Sequence, residues 1–123
     1  MYLLTVDGSF DTAHHLPEYD GKCKHVHGHT WNVTAVFEYR SLSQGMAQDF
    51  TYLSCQLTLV LEQFDHHDLN EIMVMPTAEL IAKRIYDQLK GRKLPVSQVV
   101  VNETLKHGVM YYEEEPDGQD GHL

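Results

Sequence analysis

Long apolar runs are missing from this chain. The best candidate, Leu57 to Leu61, is interrupted by Thr58 and falls far short of the roughly 18 residues that a membrane span requires, so no membrane partner is expected. Positive charge is also scarce: 9 Lys and Arg stand against 18 Asp and Glu, for a formal charge of −9. Nonspecific nucleic-acid binding relies on a broad basic surface that displaces counterions from phosphates, and this balance argues against such a partner. An anionic small molecule is not excluded, because the basic residues are bunched at Lys22 and Lys24, at Lys83 and Arg84, and at Lys90, Arg92 and Lys93. Cysteine is limited to Cys23 and Cys55, enough for one disulfide at most. The amino terminus, Met1-Tyr2-Leu3-Leu4-Thr5-Val6-Asp7, has no basic region followed by an apolar region and a small-residue cleavage site. The expected location is therefore the cytoplasm, with both thiols reduced.

The 123 residues, 42% hydrophobic and 22% charged, suit a single globular core and leave no room for two. One domain is expected over residues 1–113. Residues 114–123 are acidic, carry Pro116, Gly118 and Gly121, and have almost nothing to bury, which reads as a disordered tail where His122 could hold only stray metal.

Within the domain, residues 2–14 alternate as a strand with Leu4, Val6, Gly8, Phe10, Thr12 and His14 on one face. Pro17, Asp20 and Gly21 mark the following loop. A second strand, 27–39, puts His27, His29, Trp31, Val33, Ala35, Phe37 and Tyr39 on one face, and Thr30, Asn32, Thr34 and Glu38 on the other. After a polar turn at 41–45, Asp49 caps a helix whose stripe is Leu53, Leu57, Val60, Leu61 and Phe64, and which stops near Asp65-His66-His67-Asp68. Cys55 falls inside this pattern and reads as packing. A second helix starts at Pro76-Thr77 with Thr77 as cap and Glu79 in its first turn, buries Ala78, Ile81, Ala82, Ile85 and Leu89, and ends at Gly91. Strands are expected at 96–105 and 109–112, joined by a turn at Lys106-His107-Gly108. The order ββααββ predicts an α+β layer structure, a four-stranded antiparallel sheet with two helices on one face. The other face is left with Trp31 or the alternate valines, and two sheet edges stay open, which favours oligomerisation.

Several groups in this frame carry chemistry. A catalytic zinc commonly takes three protein ligands and keeps a position open, and His14, His27 and His29 meet that need if the first two strands pair. A His-Gly-His strand end that is merely polar accounts for the same residues. His15 and His25 are spare candidates, the first turned away by alternation and the second nearer the loop. Cys23 lies among Lys22, Lys24 and His25, neighbours that favour a thiolate, and the two lysines could attract phosphate there. In Asp65-His66 a carboxylate can orient an imidazole and stabilise its cation as a proton relay, although a polar helix end would look the same. Glu103 is out of character in a β-branched strand. It is either solvated or reserved for a cationic or amide-like ligand, because burial unpaired would be costly.

Taken together, the residues resemble the 6-pyruvoyl-tetrahydropterin synthase and 6-carboxytetrahydropterin synthase family of the tunnelling fold. The resemblance runs in order through Phe10-Asp11-Thr12-Ala13-His14, Cys23 with three residues before His27-Gly28-His29, Gly45-Met46 with Asp49-Phe50, Asp65-His66 with Leu69-Asn70, Pro76-Thr77 with Glu79, and Glu103-Thr104. Each motif alone is weakly specific; their shared order is not. The resemblance implies that His14, His27 and His29 bind zinc, Cys23 is the proton-abstracting base, Asp65 and His66 form its partner relay, and Glu103 with Thr104 anchors the pterin ring. It implies 7,8-dihydroneopterin triphosphate as substrate and a homohexamer, two trimeric β-barrels paired, with sites between subunits. Three residues between the cysteine and His-Gly-His resemble the queuosine branch, whose product is 6-carboxy-5,6,7,8-tetrahydropterin with acetaldehyde and triphosphate. Elimination of triphosphate to 6-pyruvoyltetrahydropterin is the alternative, and a noncatalytic zinc or pterin-binding module is the alternative of another class. His15 departs from the arginine common in relatives, and the acidic tail has no counterpart.

Overall fold

The structure is a computed structural model that describes residues 1–14 and 27–114, with the side chains of 13–14 and 27–29 outside that description. The chain runs β1 (Tyr2–His14), β2 (His27–Tyr39), α1 (Phe50–Leu61), a 3-10 turn (Leu69–Glu71), α2 (Ala78–Gly91), β3 (Val96–Asn102) and β4 (Gly108–Tyr111). The strands form one antiparallel sheet in the order β1-β2-β3-β4, with α1 and α2 on one face, as the apolar periodicities required. Among the described residues no helix is long and apolar enough to cross a membrane.

Local chemistry explains the helix limits. Asp49 accepts the Thr51 amide at 2.8 Å and opens α1, and Thr77 accepts the Leu80 amide at 3.2 Å and opens α2. Gly91, expected to stop α2, is its last helical residue instead. The left-handed residue is Lys93 (φ 65°), and the Leu94 amide reaches back to the Leu89 carbonyl at 3.3 Å, closing the helix with buried Leu94 as the apolar lid.

The core lies between sheet and helices. Val6, Phe10, Trp31, Val33, Ala35, Phe37, Val99 and Val101 face Leu53, Leu57, Val60 and Leu61 of α1 and Ile81, Ala82, Ile85 and Leu89 of α2. Gly8 lets α1 approach β1, since a methyl group there would sit 2.8 Å from Leu61 Cδ1. Trp31 is fully buried on this helix-covered face, stacked on Phe10 at 5.9 Å. The open face carries Asp7, Ser9, Asp11, Thr30, Asn32 and Thr34, with Val36 its one buried residue among those described, so of the two expectations for that face the alternate valine holds and Trp31 does not. Cys55 is exposed on the outer side of α1, correcting its reading as packing: it lies two positions from both Leu53 and Leu57, off the buried stripe.

Candidate functional site

One end of the β1–β2 ladder gathers the histidine positions. In register, His14 pairs with His27, Ala13 with Gly28 and Thr12 with His29. Directly opposed residues of antiparallel strands have Cα atoms about 4.5–5.5 Å apart, so the histidine positions lie on two rungs of one ladder with the Ala13–Gly28 rung between them. Three imidazoles from such positions are a donor set that suits a zinc ion with one position open. Their rings, and Cys23, Lys22, Lys24, His15 and His25 entirely, lie outside the described residues; within the described residues no group of three or more His, Cys, Asp or Glu is arranged to hold a metal.

The Asp65-His66 pair is fully described, and it is docked on the outer edge of β1. Asp65 Oδ1 accepts the Asp11 main-chain N–H at 2.9 Å, and the His66 N–H donates to the Asp11 carbonyl at 2.6 Å. The other Asp65 oxygen lies 3.0 Å from His66 Nδ1. The hydrogen bond from the Asp11 main-chain N–H is the largest influence and holds the Asp65 carboxyl below its ordinary value; burial, second in size, opposes it, and His66 and then His67 add to the lowering. His66 has φ 59°, a left-handed conformation rare outside glycine. The turn is anchored on both sides by side chains with no exposure: Phe64, whose ring lies 5.0 Å from Phe10, and Leu69. The segment continues from the end of α1, whose Leu61 carbonyl accepts the Phe64 and Asp65 amides at 3.0 and 3.3 Å, and reaches beyond it to Asp11. The His66 side chain remains 79% exposed, so its ring is open to a ligand.

Glu103 and Thr104 occupy a turn, not a strand. β3 stops at Asn102, three residues before the expected limit, and the turn spans 103–107. The Thr104 hydroxyl oxygen accepts the Lys106 and His107 amides at 3.2 and 3.1 Å, and the Glu103 amide donates to the His107 carbonyl at 3.2 Å. A side chain that satisfies local amides in this way competes with the ladder and ends it. Glu103 is half-buried and Thr104 exposed, beside a concavity of about 370 Å³ on the open sheet face lined by Asp7, Asn32, Thr34 and Asn102. Gly108 makes the turn possible: a methyl group there would collide with the Asn102 side chain and lie 2.9 Å from the Val101 carbonyl oxygen. Gly108→Ala is expected to lower stability by about 1–3 kcal/mol, read by thermal melting.

Within one chain the two halves do not meet. Asp65 sits beyond β1 and Glu103 follows β3, three inter-strand spacings away, or about 14 Å. Sequence reasoning missed the residues that hold the Asp65-His66 turn: Asp11 through its main chain, Thr12 through a hydroxyl bonded to the His67 carbonyl, and His67, whose Nδ1 lies 2.8 Å from the Asp65 carbonyl. One signal was available, a threonine on a strand face otherwise apolar at Leu4, Val6 and Phe10.

Comparison with known proteins adds a family. The profile of the family described as 6-pyruvoyl tetrahydropterin synthase matches residues 3–114. The 6-carboxy-5,6,7,8-tetrahydropterin synthase of Synechocystis is 32% identical over 121 residues, covering 91% of this chain and 94% of that protein. The dihydroneopterin monophosphate aldolase of Pyrococcus furiosus is 34% identical over 87 residues, covering 71% and 73%. The structure of Caenorhabditis elegans 6-pyruvoyl tetrahydropterin synthase superposes with a TM-score of 0.78 at 25% identity, covering 93% of this chain and 98% of that one.

Proposed function

Since the chain belongs to the 6-pyruvoyl tetrahydropterin synthase family, we propose that it is a zinc-dependent lyase converting 7,8-dihydroneopterin triphosphate to 6-carboxy-5,6,7,8-tetrahydropterin, with release of acetaldehyde and triphosphate, in the queuosine route. The observation that carries the reading is the Asp65 carboxylate fixed between the Asp11 amide and His66 Nδ1, beside the end of the ladder where His14, His27 and His29 fall together. The choice of product rests on the three residues between Cys23 and His27 and on the name of the Synechocystis relative, which covers more of this chain than the aldolase does.

Each residue then has a task. Zinc held by His14, His27 and His29 would supply Lewis acidity toward the hydroxyls of the substrate side chain. Cys23 takes a carbon-bound proton as thiolate. The Asp65 carboxylate accepts a hydrogen bond from His66 Nδ1–H, which leaves Nε2 with its lone pair free to accept and return a proton. Glu103 accepts hydrogen bonds from the amino and amide edge of the pterin. Thr104, whose oxygen already accepts two amides, supports Glu103 by shaping its turn. Lys22 and Lys24 meet the triphosphate. The separation of Asp65 from Glu103 within one chain, together with the open β1 edge, supports a homohexamer whose sites lie between subunits and draw these two residues from different copies. The enzyme would work in the cytoplasm, on a pterin triphosphate and not on nucleic acid or a membrane.

Incubation of the zinc-loaded protein with dihydroneopterin triphosphate, with products identified by mass, tests this. 6-Carboxytetrahydropterin with acetaldehyde is the expected result. 6-Pyruvoyltetrahydropterin would assign the simpler elimination instead, and turnover of dihydroneopterin monophosphate alone would assign the activity for which the Pyrococcus relative is named. Unchanged substrate with zinc bound would leave a noncatalytic binding module.

A further inference from the structure

We infer that Thr12, with His67 behind it, is the positioning residue that sets the Asp65-His66 pair against the histidine-bearing end of the β1–β2 ladder. The inference rests on the reading of that pair as a proton relay. Thr12 belongs to both parts at once. Its backbone pairs in register with His29, and its hydroxyl, on a residue only 8% exposed, donates to the main-chain carbonyl of His67. The His67 ring in turn places Nδ1 2.8 Å from the Asp65 carbonyl oxygen. The residues on either side of His66 are thus tied down by side chains, while His66 itself is tied by its own amide to the Asp11 carbonyl.

This arrangement answers a physical need. His66 stands at φ 59°, where an L residue persists only if its surroundings over-determine the backbone. The Asp11 contacts use main-chain atoms and would be offered by almost any residue at that position, so they cannot by themselves distinguish one chain from another. Beside the Asp65 carboxylate and the packed Phe64 and Leu69, the side-chain hydrogen bonds that brace the backbone on either side of His66 are those of Thr12 and His67. Valine at position 12 would keep the branched shape and the packing but remove the donor, leaving the turn held at Asp11 and unbraced at the His67 carbonyl. A relay ring displaced in this way loses rate without losing substrate affinity.

The test is a double-mutant cycle on the zinc-loaded enzyme with dihydroneopterin triphosphate. Thr12→Val should keep its zinc and its melting temperature, leave KM unchanged, lower kcat about tenfold, and speed amide exchange at residues 65–67. Thr12→Ser should restore kcat. In a His66→Ala background the same Thr12→Val change should cost less than about twofold, because a residue acting through His66 has nothing left to position. An equal loss in both backgrounds, or loss of zinc, overturns the inference by placing the action of Thr12 elsewhere. A harmless Thr12→Val beside a damaging His66→Ala overturns it while the relay stands; a harmless His66→Ala removes the relay itself. Should Thr12→Val fail to fold, His67→Ala replaces it in the same cycle, and an additive or absent effect counts against the inference.

Discussion

Cys23→Ala should lower kcat by about three orders of magnitude while the protein keeps its fold and its zinc, the size of loss expected when a positioned general base is removed. The four peptide units between Cys23 and His27 hold the two Cα atoms within about 14 Å of each other, and His27 pairs with His14. In the proposed function the thiol works beside the candidate metal ligands. Lys22, Lys24 and His25 are its neighbours in sequence, and positive neighbours are the setting in which the thiolate, the form that takes a proton, is expected. Alanine removes that base and leaves the three histidines untouched. Metal analysis and a kcat measurement on the same preparation check the prediction. Loss of zinc along with activity would make Cys23 a ligand and the proposed division of roles wrong.

Asp65→Asn should cost about 10³-fold in kcat with little change in melting temperature at neutral pH. The amide is the same size as the carboxyl, and its oxygen can still accept the Asp11 N–H now held at 2.9 Å. Its NH2 group then faces His66 Nδ1, where the carboxylate oxygen lies 3.0 Å away. Facing a donor, Nδ1 must accept, so the ring proton moves to Nε2 and the lone pair needed there disappears. Wrong-tautomer variants of other carboxylate-histidine pairs lose activity on this scale. Asp65→Ala, which leaves Nδ1 unrestrained, should lose less per unit of tautomer change but more order in the turn, so the two variants separate proton placement from mere anchoring.

The same carboxylate gives a pH signature. Its folded-state value lies below the ordinary 3.8, chiefly because the Asp11 amide bonds the charged form. A lowered value means a contribution to stability that is fully present above 3.8 and fades as pH falls through the lower folded value. The melting difference between wild type and Asp65→Asn should therefore shrink in acid, below about pH 4, and stay constant from there to neutrality. A difference that instead grew in acid would contradict the Asp11 contact. The group is largely solvent-facing, and the effect is correspondingly modest.

Much of this molecule was legible in linear spacing. Strand parity put Phe10, Trp31 and Val33 on one face because side chains alternate with period two, and the caps at Asp49 and Thr77 follow from side-chain oxygens that reach amides two or three residues on. Those causes act within a few residues, so the chain states them locally, and the pairing of His14 with His27 follows once the two strands fold back on each other. Which edge the Asp65-His66 turn would grip was not legible. That contact joins residues 54 apart through the outward amide and carbonyl of an edge strand, groups every residue possesses and no sequence pattern marks. The retreat of β3 from Glu103 depended likewise on the Thr104 hydroxyl winning two amides from the ladder. The exposure of Cys55, by contrast, was legible in the spacing, since it lies two positions from both Leu53 and Leu57 and so off the stripe. Periodicity tells a side chain which way to face, while competition for unpaired backbone groups, settled only when distant segments meet, tells a turn where to dock.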